Sequence, residues 1–185
     1  MANKDNVSAG KPKIGGAVFV APAGTKMPKT AIEELDKAFK NLGYVSEDGI
    51  KNSNSPENET FKAWGGDVVL TTQTEKPDTF SMTLIEVLSV DVLKMVYGEK
   101  NVDGTLETGI TIRANAKELE EHTIVIDMIM RNGVMKRFVI PSAKITETEE
   151  IEYNDGNICG YGITLTAEPD ENGDTHTEYI IKKGK

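Results

Sequence analysis

The feature that most constrains this chain is the recurrence of turn-forming tetrapeptides between short segments of alternating polarity. Arg131-Asn132-Gly133-Val134 separates residues 124–130 from 134–140. Asn-Gly between apolar runs is the strongest short hairpin signal. Asn154-Asp155-Gly156-Asn157 repeats the pattern between 144–153 and 158–167, and Glu171-Asn172-Gly173-Asp174 repeats it before 175–182. Lys76-Pro77-Asp78 predicts a fourth turn, between 67–74 and 79–87, with proline setting φ at the first central position.

The segments between these turns alternate. In 79–88, Phe80, Met82, Leu84 and Leu88 share one face while Thr79, Ser81 and Thr83 share the other. In 158–167, Tyr161, Ile163 and Leu165 point one way with Cys159, and Gly160, Gly162, Thr164 and Thr166 point the other. A period of two over several segments predicts half-buried antiparallel strands. Residues 124–130 differ, being apolar on both faces apart from Asp127. Such a strand is either central in a sandwich or covered by a neighbouring subunit. Asp127 itself reads either as an intersubunit salt bridge or as an outward-facing charge. The fold class expected is mainly β, an antiparallel sandwich or barrel with one or two short flanking helices.

The first helix is expected over 30–42, where Thr30-Ala31-Ile32-Glu33 reads as a capping box and Ile32, Leu35, Phe39 and Leu42 form a stripe before Gly43. The second runs from an N-cap at Ser89 to Tyr97, with Asp91 in its first turn and Gly98 past its end. Two stretches lack strand character. Residues 1–13 read as a flexible N-terminal arm. Residues 46–66 read as a long polar loop, too poor in apolar surface to order itself, that ends near Phe61 and Trp64. The whole of 1–185 is expected to be one domain.

Charge and composition exclude several functions. A net charge of −9 argues against nucleic-acid binding, which needs a basic patch to neutralise phosphates. One cysteine, Cys159, forms no intrachain disulfide, and we expect it to be a small buried hydrophobe. No apolar run approaches the ~18–20 residues of a membrane helix. Residues 1–6 are polar without a signal-peptide apolar stretch, so production and retention in the cytoplasm are expected.

The sequence holds no catalytic constellation. His122 and His176 sit among polar residues and read as solvated surface histidines; with one cysteine they make no zinc spacing. Asp170-Glu171-Asn172-Gly173-Asp174 resembles half an EF-hand loop, but Thr175 and Ile181 stand where a glycine and the bidentate glutamate are needed. Gly10-Lys11-Pro12-Lys13-Ile14-Gly15-Gly16 lacks the spacing of a phosphate-binding loop, and no Gly-x-Ser-x-Gly elbow occurs. The acidic runs 117–121 and 146–152 read as solvated strand edges that discourage edge-to-edge pairing. No catalytic residue, metal ligand or cofactor site is expected.

Five segments carry a family resemblance. They are Lys13-Ile14-Gly15-Gly16-Ala17-Val18-Phe19-Val20-Ala21-Pro22, Phe39-Lys40-Asn41-Leu42-Gly43-Tyr44-Val45-Ser46-Glu47-Asp48-Gly49 and Lys62-Ala63-Trp64-Gly65-Gly66-Asp67. Glu86-Val87-Leu88-Ser89-Val90-Asp91-Val92-Leu93-Lys94 and Lys136-Arg137-Phe138-Val139-Ile140-Pro141-Ser142-Ala143-Lys144-Ile145 complete the set. In that order, over nearly the whole chain, they resemble the major tail proteins, or tail tube subunits, of long non-contractile-tailed phages and prophages of Gram-positive hosts.

The resemblance implies a structural virion protein that is not an enzyme. Six subunits would form a ring, rings would stack into a hollow tail tube, and DNA would pass through it during ejection without specific binding. Tail tip, tape measure and tail terminator proteins would be its other partners, with assembly in the host bacterial cytoplasm and residence in the virion tail. The arm and the loop would reach neighbouring subunits, which makes Lys13, Asn52, Asn54, Phe61, Trp64 and Asp127 the candidate subunit-interface residues. The apolar strand 124–130 would be covered in the ring, and a negative lumen would let DNA slide. Some relatives carry a C-terminal immunoglobulin-like domain, which is not expected here. The alternative of the same architecture is the tube subunit of a type VI-like or contractile injection system. The alternative of another class, a β-barrel enzyme or ligand-binding module, would need convergent polar residues in a pocket.

Overall fold

The Asn-Gly turn forms where its spacing predicts. In the computed structural model, which describes residues 2–182, Asn132 and Gly133 both take positive φ, 60° and 70°. The amide of Met130 donates to the carbonyl of Val134 at 2.7 Å, closing the hairpin. Met1, part of the expected arm, and residues 183–185, part of the expected domain, lie outside the described residues.

Strands come in chain order as β1 (Lys11–Pro12), β2 (Val18–Pro22), β3 (Lys40–Asn41), β4 (Val45–Asn54), β5 (Glu57–Lys62), β6 (Val68–Glu75) and β7 (Asp78–Leu84). Helix α1 (Val90–Tyr97) follows, then β8 (Val102–Thr105) and β9 (Gly109–Ile112). The last four are β10 (His122–Ile129), β11 (Val134–Thr148), β12 (Tyr161–Glu168) and β13 (Thr177–Lys182). The fold is mainly β and antiparallel, with nine strands in one sheet ordered β3-β2-β10-β11-β12-β7-β4. β1 joins β10 and β13 joins β11 off this path. The ends of the path do not pair, so the expected barrel does not close.

The hairpin β10–β11 is the spine. Along one flank, β1 and β2 pair in succession with β10; along the other, β13 and β12 pair in succession with β11. The turn at 171–174 therefore forms, but it does not fold β13 back on β12. It carries the chain onward along the same edge of β11, past Pro141, which has no amide to donate. The turn expected at 76–78 does not form: residues 76 and 77 join β6 to β7 as successive strands of one ribbon, β6 paired with β5 and β7 with β4.

Alternation places the core. Phe80, Met82 and Leu84 of β7, Tyr161, Ile163 and Leu165 of β12, and Ile124 and Ile126 of β10 share one buried face. Val92, Leu93, Met95 and Val96 of α1 cover it. That helix matches the expected one, with Ser89 at its N-cap and Gly98 at its C-cap. Leu88, expected with the buried face, is exposed, and Cys159 is only half-buried.

The helix expected over 30–42 is absent. One of its capping contacts exists, Glu33 N donating to Thr30 Oγ1 at 3.0 Å, while the Glu33 carboxylate accepts from Lys29 N at 2.7 Å in place of the Thr30 amide. The carbonyls of Thr30 and Glu33 instead accept from Arg137 Nη1 at 3.0 and 2.7 Å. A buried guanidinium needs acceptors, and taking two carbonyls that a helix would direct along its own axis holds the segment as an irregular strap. The strap lies over the second face of β10 and β11, burying Ala31 and leaving Ile32 exposed. Residues 123–127 are consequently buried on both faces within the chain, and need no neighbouring subunit to cover them.

Residues 46–66, expected as a loop, are mostly strand: part of β4, all of β5 and a tight turn. Thr and Asn side chains that cannot build a core still tolerate a ladder, and pairing to β7 and β6 supplies their backbone partners. The N-terminal arm is also attached, through β1 on β10 and the amide of Lys13 donating to the Asp127 carbonyl at 3.3 Å.

Candidate assembly surface

β4–β7 and β5–β6 form a ribbon in two stretches. The inner ladder ends at Asn54 opposite Asp78, and the outer one begins at Glu57 opposite Glu75. Pro56 and Pro77 flank the joint, and neither has an amide with which to continue the ladder. Every residue of β5 and β6 is exposed, and the two strands pair only with each other.

The register gives this outer hairpin two unlike faces. Directly opposed residues of an antiparallel pair share a face, so Phe61 and Leu70 lie together on one side and Thr60 and Thr71 on the other. Phe61 and Leu70 keep 44% and 52% of their surface in solvent. Trp64 stands fully exposed in the tip, where Gly65 and Gly66 take positive φ of 115° and 99°. Val68 and Val69 extend the apolar tip. The hairpin thus presents an unburied aromatic and aliphatic patch, a feature that contact surfaces share.

The root of the ribbon is polar and buried. Asp78, only 1% exposed, accepts from Asn52 Nδ2 at 2.8 Å, from Thr175 Oγ1 and from His176 Nδ1. Burial pushes the Asp78 carboxyl up, but the bonds from Thr175, His176 and Asn52 outweigh it and hold the group below the ordinary carboxylate value. His176 is not the solvated histidine expected: it packs edge-on against Phe80 at 5.4 Å and lies 5.5 Å from the Phe138 ring. Asn54, opposite Asp78, has a buried Oδ1 without a partner.

Asp127 also turns inward. It is 2% exposed and takes two bonds from Arg137, at 2.6 and 2.8 Å, with Lys13 Nζ at 3.2 Å. Its salt bridge to Arg137 is thus made inside the chain, and the carboxylate does not face outward to solvent. Arg137 had a legible signal: Asp127 and Arg137 lie equally far on either side of Asn132, so the hairpin register pairs them. Thr175 and Asp78 had no such signal, since only tertiary structure brings the connection between β12 and β13 to the start of β7.

His122 is half-buried beside Glu120, Glu121, Asp91, Lys94 and Glu99, which line a pocket of about 540 Å³. Burial pushes its imidazole pKa down, and its Nδ1 finds no hydrogen-bond partner. Among the described residues no three acidic, histidine or cysteine side chains are grouped to hold a metal ion. The Thr175, His176 and Asp78 cluster is not a nucleophile–base–acid relay either. Asp78 sits between the hydroxyl and the imidazole, whereas catalysis needs the imidazole between the other two.

Of the six residues expected at a subunit interface, then, Phe61 and Trp64 are exposed together on the outer hairpin, and Asn52 and Asn54 lie at its root. Lys13 and Asp127 meet on the opposite flank of the spine. No helix among the described residues is long and apolar enough to cross a membrane.

No curated protein matches the chain. A family model described as phage tail tube protein matches residues 1–184. With nearly its whole length matched, the chain belongs to the phage tail tube protein family and is a structural subunit of the virion tail.

Proposed function

We propose that this subunit builds hexameric rings that stack into the tail tube, the conduit for DNA ejection. The outer hairpin β5–β6 is the main contact between subunits. The observation that carries this reading is the cluster of Phe61, Leu70 and Trp64, exposed on an extension with no core of its own. A two-stranded ribbon is marginal alone in water, so seating its apolar face on a second copy both buries that face and stiffens the ribbon. The fully exposed Trp64 is the natural anchor, since aromatic side chains dominate interface energies.

Other parts of the proposal follow from the family and the charge. The net charge of −9 suits a channel that repels DNA and lets it slide. Tail tip, tape measure and tail terminator proteins are the proposed partners at the tube's ends and interior. Assembly in the host cytoplasm and the absence of catalysis belong to the same reading. Electron microscopy and native mass spectrometry of parent protein and of Trp64→Ala test it. Rings of six and tubes from the parent, with monomer alone from the variant, are expected. Parent-length tubes from Trp64→Ala would remove the hairpin from the interface, and a different subunit count would overturn the hexamer.

A further inference from the structure

The ribbon's two ladders meet at a joint that backbone bonding does not hold. Pro56 on one strand and Pro77 on the other leave the junction between Asn54–Asp78 and Glu57–Glu75 without its usual amides. A two-stranded ribbon interrupted in this way can swing about its root. Something other than the ladder must therefore set the direction in which β5 and β6 leave the sheet.

The buried side chain next to that joint is Asp78, the first residue of β7. Its carboxylate draws three donors from two separate segments: Asn52 from the facing strand β4, and Thr175 and His176 from the connection that carries the chain from β12 to β13. Asn52 also donates to the carbonyl of Thr79 at 3.1 Å, fixing the amide across both strands. His176 is itself held by Phe80 and Phe138, and its Nε2 lies 3.9 Å from Glu178, which pairs with Lys136 at 2.8 Å. The joint is thus bolted to the spine strand β11 and to β13 through one acid. A carboxylate accepts several bonds at once; an amide of the same shape offers one acceptor oxygen and sets a donor against donors.

We propose that Asp78 is a positioning residue for assembly: by tying β4 and the 175–176 connection to the ribbon's root, it fixes the angle of the outer hairpin and so the place its apolar tip reaches on a second copy. The inference rests on the hairpin being the assembling element. Asp78 touches no partner; it acts through the hairpin.

The test measures hairpin pose in the unassembled full chain, apart from assembly. Spin labels at Asn58→Cys on the hairpin and Lys100→Cys near the helix, in a Cys159→Ser background, report the distance between hairpin and sheet. A single narrow distance is expected with Asp78 present, and loss of that narrow distance with Asp78→Asn, together with loss of tubes. Should Asp78→Asn fail to fold, Thr175→Val carries the same test, because it removes one donor and keeps the carboxylate. A narrow distance retained in the folded variant overturns the proposal, as does a broadened distance accompanied by tubes of parent length. Trp64→Ala separates the two readings, since it leaves the root intact. It is expected to keep the narrow distance while losing assembly, and normal assembly there would sink the role of the hairpin and not the pose set by Asp78.

Discussion

The spine β10–β11 and the outer hairpin β5–β6 are the same local element, two antiparallel strands closed by a glycine-containing turn, with opposite fates. In the spine, residues 123–127 are buried on both faces, by the core on one side and by the irregular strap on the other. In the outer hairpin every residue is exposed. The difference teaches that pairing makes a ribbon but does not stabilise it. Stability comes from what covers the faces, and a ribbon left uncovered in one chain is available to another.

Buried charge offers the strongest way to break this comparison. Asp127→Ala leaves the Arg137 guanidinium buried without its carboxylate and is expected to cost about 3–5 kcal/mol, read as a large fall in the urea midpoint. Ile126→Ala, in the core face of the same strand, is expected to cost about 2–5 kcal/mol. Phe61→Ala in the outer hairpin sharpens the contrast. Its effect on the folded monomer should stay within about 0.5 kcal/mol, as for surface positions generally, while tube formation falls away. A monomer melt lowered as far by Phe61→Ala as by Ile126→Ala would mean that the hairpin packs on its own chain.

Amide hydrogen exchange compares the two ribbons without mutation. β10 and β11 should exchange only through global opening, and β5 and β6 through local opening at far lower free energy. Assembly into tubes should slow β5 and β6 selectively, and equal protection before and after assembly would contradict the proposed interface.

The smallest expected effect is on pH. The folded-state pKa of His122 is lowered by burial, so its neutral form contributes stability that is present above the unfolded histidine value and is lost as pH falls through that value toward the folded one. Asp78, also lowered, contributes stability present above the ordinary carboxylate value and lost as pH falls further, through its folded pKa. Melting temperature should therefore decline in two stages on acidification. His122→Gln should flatten the first and leave the second, which a single unchanged acid transition would contradict.

Much of the fold was legible because turn chemistry and alternation are local. Asn132-Gly133 admits positive φ, Phe80, Met82 and Leu84 alternate, and Ser89 and Gly98 bracket a short amphipathic helix, whatever surrounds them. The resemblance carried by segments spread along the chain likewise pointed to the tail tube family. Of the candidate interface, Phe61 and Trp64 stood out as apolar residues in a polar stretch, and the structure leaves both exposed. The hairpin register sets Arg137 opposite Asp127, but the burial of both charges is not local: it depends on the 30–33 strap and on Lys13.

What only the tertiary structure decided are the contacts between segments far apart in sequence. Residues 30–42 have a helix's caps and stripe, yet Arg137 takes the carbonyls of Thr30 and Glu33, and the segment becomes a strap. The turn at 171–174 was readable as a turn, but which strands it joined depended on which edge of β11 was free. The turn expected at 76–78 gives way to a ribbon in which β6 and β7 follow one another, paired to β5 and β4. Asp78 opens a strand after a proline and looks unremarkable until Asn52, Thr175 and His176 converge on it. The physical reason is the same in each case. Local preferences amount to about 1 kcal/mol or less per residue, whereas leaving a buried charge or backbone group without a partner costs more, so long-range satisfaction of buried groups overrides local preference.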